Sequence, residues 1–136
     1  MLQRRSIMLV DPDRAIRTPI AHLLSDRHAL YEAEDGLMAL TLATMIPDLA
    51  LVLSAVSLPT IDGVDLVRLF KSRESLWHVP FVFLCPRVSV NDHHRLLFAG
   101  ARKCLHRELP PHKIVAAAEK ILGPSTRTPM RRARPA

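Results

Sequence analysis

The chain has few aromatic side chains, few glycines, only two cysteines and no long apolar run. Aromatics make up 4% of its 136 residues, so any core must be mostly aliphatic. The two cysteines, Cys85 and Cys104, make neither a disulfide framework nor a zinc site. No stretch reaches the roughly 18 uninterrupted apolar residues that a membrane helix needs. The opening MLQRRS lacks the apolar region and cleavage site of a secretory signal. The expectation is a cytoplasmic protein with no membrane contact. Acid is missing from the segment after Gly123, which reads PSTRTPMRRARPA and carries +4 of the net +6. Residues 4–122 are expected to form one domain and residues 123–136 a disordered basic tail. The fourteen residues after Leu122 are too few for a folded output domain. The tail's arginines suit phosphate contacts, but no recognition helix or base-reading motif accompanies them, so nucleic acid is not the expected partner.

What is present is strongly patterned, with 49% apolar residues. Ser6–Val10 reads as a buried strand closed by Asp11-Pro-Asp13. Ile16, Ile20, Leu23 and Leu24 recur at helical spacing, with Pro19 expected to bend that helix. Ala29–Ala33 reads as a strand, Leu37–Ile46 as an uncharged helix stopped by Pro47, and Leu49–Ser54 as an apolar strand. Val64–Ser72 is helical with Leu66, Val67 and Phe70 inward, and Val79–Cys85 is a strand. Ser89-Val-Asn-Asp92 opens a helix that ends at Gly100. Arg102–Leu105 is a short strand, and a last amphipathic helix through Ile114 and Ala118 ends at Gly123-Pro124. Strand and helix thus alternate, which predicts an α/β fold with a doubly wound five-stranded parallel sheet. Ligand chemistry in such a fold belongs at the carboxyl ends of the strands.

Four markers sit at those ends or beside them: Val10-Asp11, Ala33-Glu-Asp-Gly36, Pro59-Thr-Ile-Asp-Gly63 and Phe98-Ala-Gly-Ala101. In this order the chain resembles the receiver domain of bacterial response regulators, the CheY-like, flavodoxin-like fold with strand order 2-1-3-4-5. The resemblance implies a cleft in which an acidic pair holds Mg²⁺, an aspartate accepts phosphate, and a hydroxyl and a lysine bind the phosphoryl oxygens. Here Asp11 matches the first acid, Pro12 replaces the second with Asp13 following, and Ala55 stands at the acceptor position. Cys85 replaces the hydroxyl and Arg107 the lysine. Glu108 stands where a cis proline is usual, so a trans peptide is expected, which leaves Arg107 either in the vestigial phosphate pocket with Asp11, Asp13, Ala55 and Cys85 or turned elsewhere onto the neighbouring face. Alanine cannot carry a phosphoryl group, and Asp11 with Asp13 is at most a weak remnant of a metal site. The expectation is therefore a pseudo-receiver with no cofactor and no catalytic residue. It would be a stand-alone signalling protein of a two-component or phosphorelay pathway, acting by protein–protein contact. The alternatives are a receiver phosphorylated or Mg²⁺-bound through an atypical site, and a basic nucleic-acid accessory protein.

Two surfaces and one thiol pair complete the expectations. The fourth helix, last strand and last helix present Arg87, His94, Arg95, Phe98, Arg102, His106, Arg107 and His112, a basic face suited to an acidic protein partner or a homodimer. On the second helix Met38, Thr41 and Met45 point outward, flanked by Leu37 and Leu42, as an adaptable partner-binding patch. Cys85 and Cys104 lie on neighbouring strands, where a disulfide requires a register that sets them opposite.

Overall fold

The computed structural model describes residues 4–86 and 90–123. Its elements are β1 (Ser6–Val10), α1 (Arg14–Ser25), β2 (Ala29–Ala33), α2 (Gly36–Met45), β3 (Leu49–Ala55), α3 (Gly63–Ser72), β4 (Phe81–Cys85), α4 (Val90–Ala99), β5 (Lys103–His106) and α5 (Pro111–Leu122). All pairings are parallel and the sheet order is β2-β1-β3-β4-β5. Arg87, the Ser89 cap and the tail from Pro124 onward lie outside the described residues.

The inner strands β1, β3 and β4 are almost wholly apolar because both faces of the sheet are covered, while the edge strands β2 and β5 carry Glu32, Lys103 and His106. Met8, Val10, Val52, Phe81 and Phe83 pack under α2, α3 and α4, where Ala39, Ala43, Leu66, Phe70 and Leu96 meet them. Ile7, Leu9, Leu51, Leu53, Val82 and Leu84 face α1 and α5 through Ile20, Leu24, Ile114 and Ala118. The period-two alternation of strand side chains sorts them into these layers. Phenylalanines are scarce, and three of the four are spent in one layer, with Phe81 5.3 Å from Phe70 and 5.1 Å from Phe83 between ring centroids.

Several expected boundaries shift for local reasons. α2 begins at Gly36 because the Asp35 side chain accepts from Met38 N–H at 2.8 Å and caps the helix. It ends at Met45 because Ile46, preceding Pro47, is pushed into the extended region. β4 starts at Phe81, one residue past Pro80, which has no N–H to give the ladder. β5 runs to His106, opposite Cys85. Of the apolar residues at helical spacing in α1, Leu23 is exposed, and the inward stripe is Arg17, Ile20, Ala21 and Leu24.

α1 and α5 are tied by Glu119, which accepts from Arg27 Nη1 at 2.8 Å and contacts His28 Nε2 at 2.9 Å. Burial pushes the Glu119 carboxyl up, but the bonds from His28 and Arg27 outweigh it and hold it below its usual 4.5. A lowered carboxyl favours the folded state above the unfolded pKa and loses that advantage as pH falls. Glu119→Gln should therefore lose about 1 kcal/mol at neutral pH. Urea melts at stepped pH should show the gap to wild type closing below 4.5.

Candidate functional site

The register brings four of the expected residues to one edge of the sheet. Val10 pairs with Ser54, so Asp11 follows beside Ala55. Ala55 pairs with Leu84, just before Cys85, and Cys85 pairs with His106, just before Arg107. Arg107 N–H donates to the Cys85 carbonyl at 2.8 Å, which fixes the start of the β5–α5 loop. Ala55 is buried at the cleft floor, outside both apolar layers. Ser54 beside it is fully buried, and its hydroxyl donates to the Ala55 carbonyl at 2.8 Å.

The acids of the β1–α1 loop are already engaged. Asp13 Oδ1 accepts from Ala15 N–H at 2.9 Å and caps α1. Its Oδ2 lies 3.5 Å from Arg107 Nη2. Asp11 Oδ1 accepts from Asp13 N–H at 2.8 Å, while Oδ2 is buried with no hydrogen-bond partner among the described residues. Burial pushes the Asp11 carboxyl above its usual 3.8, against the lowering pull of the Asp13 amide and Arg107. A raised carboxyl costs stability once pH passes the unfolded value. Asp11→Asn should thus gain about 1 kcal/mol at neutral pH. Paired thermal melts should show the gain vanishing below pH 3.8.

Of the two placements open to Arg107, the structure shows the cleft: no peptide among the described residues is cis, and the guanidinium reaches Asp13 Oδ2. The Asp13 charge draws the side chain across. Arg107 thereby leaves the basic face, which keeps His94, Arg95, Arg102 and His112 exposed, with His106 half-buried. Phe98 on that face is 93% exposed. On α2, Met38 and Met45 are exposed as expected, but Leu42 is half-buried against the core.

The thiols do not meet the disulfide condition. Cys104 pairs with Phe83 and Cys85 with His106, so the cysteines are two positions out of register. Burial, reinforced by the neighbouring Cys104 thiol, pushes Cys85 up to about 12, so it stays a protonated thiol.

Arg17 is the functional-site residue that sequence reasoning missed. Its buried guanidinium donates to the Asp11 carbonyl at 2.6 Å, to Glu32 at 3.0 Å and to Glu34 at 3.3 Å. The signal was its place on the inward stripe, three residues before Ile20 and seven before Leu24. A second missed feature joins two of the sequence markers. Gly36 N–H donates to the Pro59 carbonyl at 3.1 Å, and Thr60, at φ +65°, accepts from Leu37 N–H at 3.0 Å through its hydroxyl. The Thr60 hydroxyl also lies 3.1 Å from Asp35 Oδ1, so the β3–α3 loop is clipped to the start of α2.

Residues 7–119 match the response regulator receiver domain. The chain belongs to that family. Receiver domains are modules of two-component signalling, and the fold agrees. CheY4 of Vibrio cholerae, a chemotaxis response regulator, superposes with a TM-score of 0.81 at 21% identity, covering 88% of this chain and 99% of that one. The receiver domain of the sensor histidine kinase PA1611 of Pseudomonas aeruginosa, which has magnesium in its active-site cleft, superposes with a TM-score of 0.78 at 22% identity, covering 89% and 99%. In sequence the receiver is similar to a probable transcriptional regulator, ycf29, of Pyropia yezoensis, 25% identical over 117 residues. It is also similar to histidine kinase P4 of Formosa agariphila, 32% identical over 100 residues. Those matches take in 85% and 73% of the chain but only 52% and 7% of the two relatives' own lengths. Among the described residues no helix is long and apolar enough to cross a membrane.

Proposed function

We propose that this receiver signals in the cytoplasm by protein–protein contact, without an aspartyl phosphate and without enzymatic activity of its own. The observation that carries the reading is the Ala55 methyl at the cleft floor, where covalent phosphorylation needs a carboxylate nucleophile. The surroundings agree. A hard cation takes about six oxygen ligands. Here Ala55 supplies none, Asp13 is divided between the α1 cap and Arg107, and Asp11 has one uncommitted oxygen. The residues present do not fit a Mg²⁺ site, and the Arg107 guanidinium supplies positive charge from within.

Signalling then rests on surfaces. His94, Arg95, Arg102 and His112 around exposed Phe98 form a basic face with an aromatic anchor, suited to an acidic protein. Residues 4–122 act as the recognition domain, and the four arginines after Gly123 add positive charge. Spectra of isotope-labelled protein titrated with Mg²⁺ and beryllofluoride test this reading. The amides around Asp11, Ala55 and Cys85 should not shift. A saturable, Mg²⁺-dependent shift on adding beryllofluoride would instead establish an atypical phosphate site.

A further inference from the structure

All five strands run parallel, so their starts share the end of the molecule opposite the cleft. The two ends differ in charge. At the cleft end Asp11, Asp13, Glu34, Asp35 and Asp62 outnumber Arg17 and Arg107. At the far end Arg4 and Arg5 lead into β1, Arg73 follows α3, Arg102 precedes β5 and Lys120 lies in the last turn of α5. All of these but Arg5 are exposed. The acids there are Asp26, Asp48, Glu74 and Glu119, and Arg27 and His28 already hold Glu119.

Arg4 and Arg5 are fixed by neutral partners. Arg4 Nη2 donates to the Ser25 and His28 carbonyls at 3.2 and 3.0 Å. Arg5 donates from Nη1 to the Leu122 carbonyl at 2.6 Å and from Nη2 to the Gly123 carbonyl at 3.1 Å. Among the described residues no carboxylate pairs with either guanidinium. Both charges are therefore held in place and left uncompensated. The segment that carries four more arginines begins directly after the Gly123 carbonyl that Arg5 holds.

We propose that this end of the molecule binds the phosphate backbone of duplex DNA without reading its bases. Spacing supports it. β1 and β5 lie three strand spacings apart, about 14 Å. Arg5 and Arg102 thus suit phosphates on the two sides of a groove about 12 Å wide. Residue type supports it as well. Every cation after Gly123 is an arginine, whose planar fork pairs two phosphate oxygens at once. A membrane surface calls for apolar side chains to insert, and Met130 is the only large one after Gly123. The missing base-reading motif, which set nucleic acid aside on sequence alone, is no obstacle, because backbone contact is independent of sequence. The inference depends neither on the cleft nor on the protein contact at Phe98.

Fluorescence anisotropy of a labelled mixed-sequence duplex, titrated with the full chain over a salt series, tests it. On logarithmic axes affinity should fall with salt at a slope of roughly −6, for Arg4, Arg5, Arg102 and the four arginines after Gly123. Changing Arg127, Arg131, Arg132 and Arg134 together to glutamine should leave a slope of about −3. Arg4→Gln with Arg5→Gln should remove about 2 from the full slope, and the two lysine substitutions should keep it, with unchanged circular dichroism. If the glutamine pair fails to fold, exposed Arg102→Gln should still remove about 1. Phe98→Ala should bind as wild type does. No binding at low salt would overturn the proposal. So would a slope that Arg4, Arg5 and Arg102 do not affect, which would assign binding to the last thirteen residues alone. Tighter binding to phosphatidylserine vesicles or to polyglutamate than to the duplex would assign this end to a membrane or an acidic protein, and would also overturn it.

Discussion

Gly63→Ala should destabilise the protein by about 3 kcal/mol, at the upper end of what overpacking costs. Helix propensity taken alone points the other way, since alanine in place of glycine in a helix gains up to about 1 kcal/mol. Space decides between them. A methyl group on Gly63 would collide with the Val56 carbonyl oxygen and would stand 2.8 Å from Phe83 Cε1 and 3.0 Å from the Ala55 carbonyl oxygen. Two of these neighbours are backbone of the β3 end, and Gly63 N–H already bonds the Val56 carbonyl at 2.9 Å. The chain cannot relax without moving the cleft floor. Urea unfolding should show the midpoint falling with little change in slope, and amide shifts should move at Ala55 and Val56. A variant as stable as wild type would mean that α3 does not start against β3 as described.

Arg17→Ala should cost a similar amount, about 3 kcal/mol, for a different reason. The ion pairs contribute the smaller part, because Glu32 and Glu34 are 45% and 64% exposed and water screens them. The larger part comes from the buried stem and from the Asp11 carbonyl, which loses its 2.6 Å donor. Arg17→Met separates the two. It keeps most of the apolar stem and should recover about half of the loss. If both variants unfold alike at low and high salt, the packing share is wrong. If high salt alone removes the wild-type advantage, the ion pairs dominate instead.

Most of the architecture was legible because parallel strands buried on both faces write themselves as continuous apolar runs, as in Leu51–Leu53 and Phe81–Leu84. The alternation with helices gave the fold class, and the resemblance to receivers gave the strand order. The site was legible by position, since Asp11, Ala55, Cys85 and Arg107 follow directly from strand ends. Its interactions were not. Arg17 was overlooked because a charge on an amphipathic helix is ordinarily read as surface, and its two glutamates come from a different strand and loop. The bond from Gly36 to Pro59 spans two loops and leaves no periodic trace. The peptide bond after Arg107 left its direction open, and the Asp13 charge across the cleft decides it.

The missing carboxylate at position 55 is the centre of the account, and intact-mass spectrometry after incubation with acetyl phosphate and Mg²⁺ addresses it most directly. The account predicts a single unshifted mass across time and pH. An acid-stable, base-labile increase of one phosphoryl group, mapped by peptide analysis to Asp11 or Asp13, would contradict it.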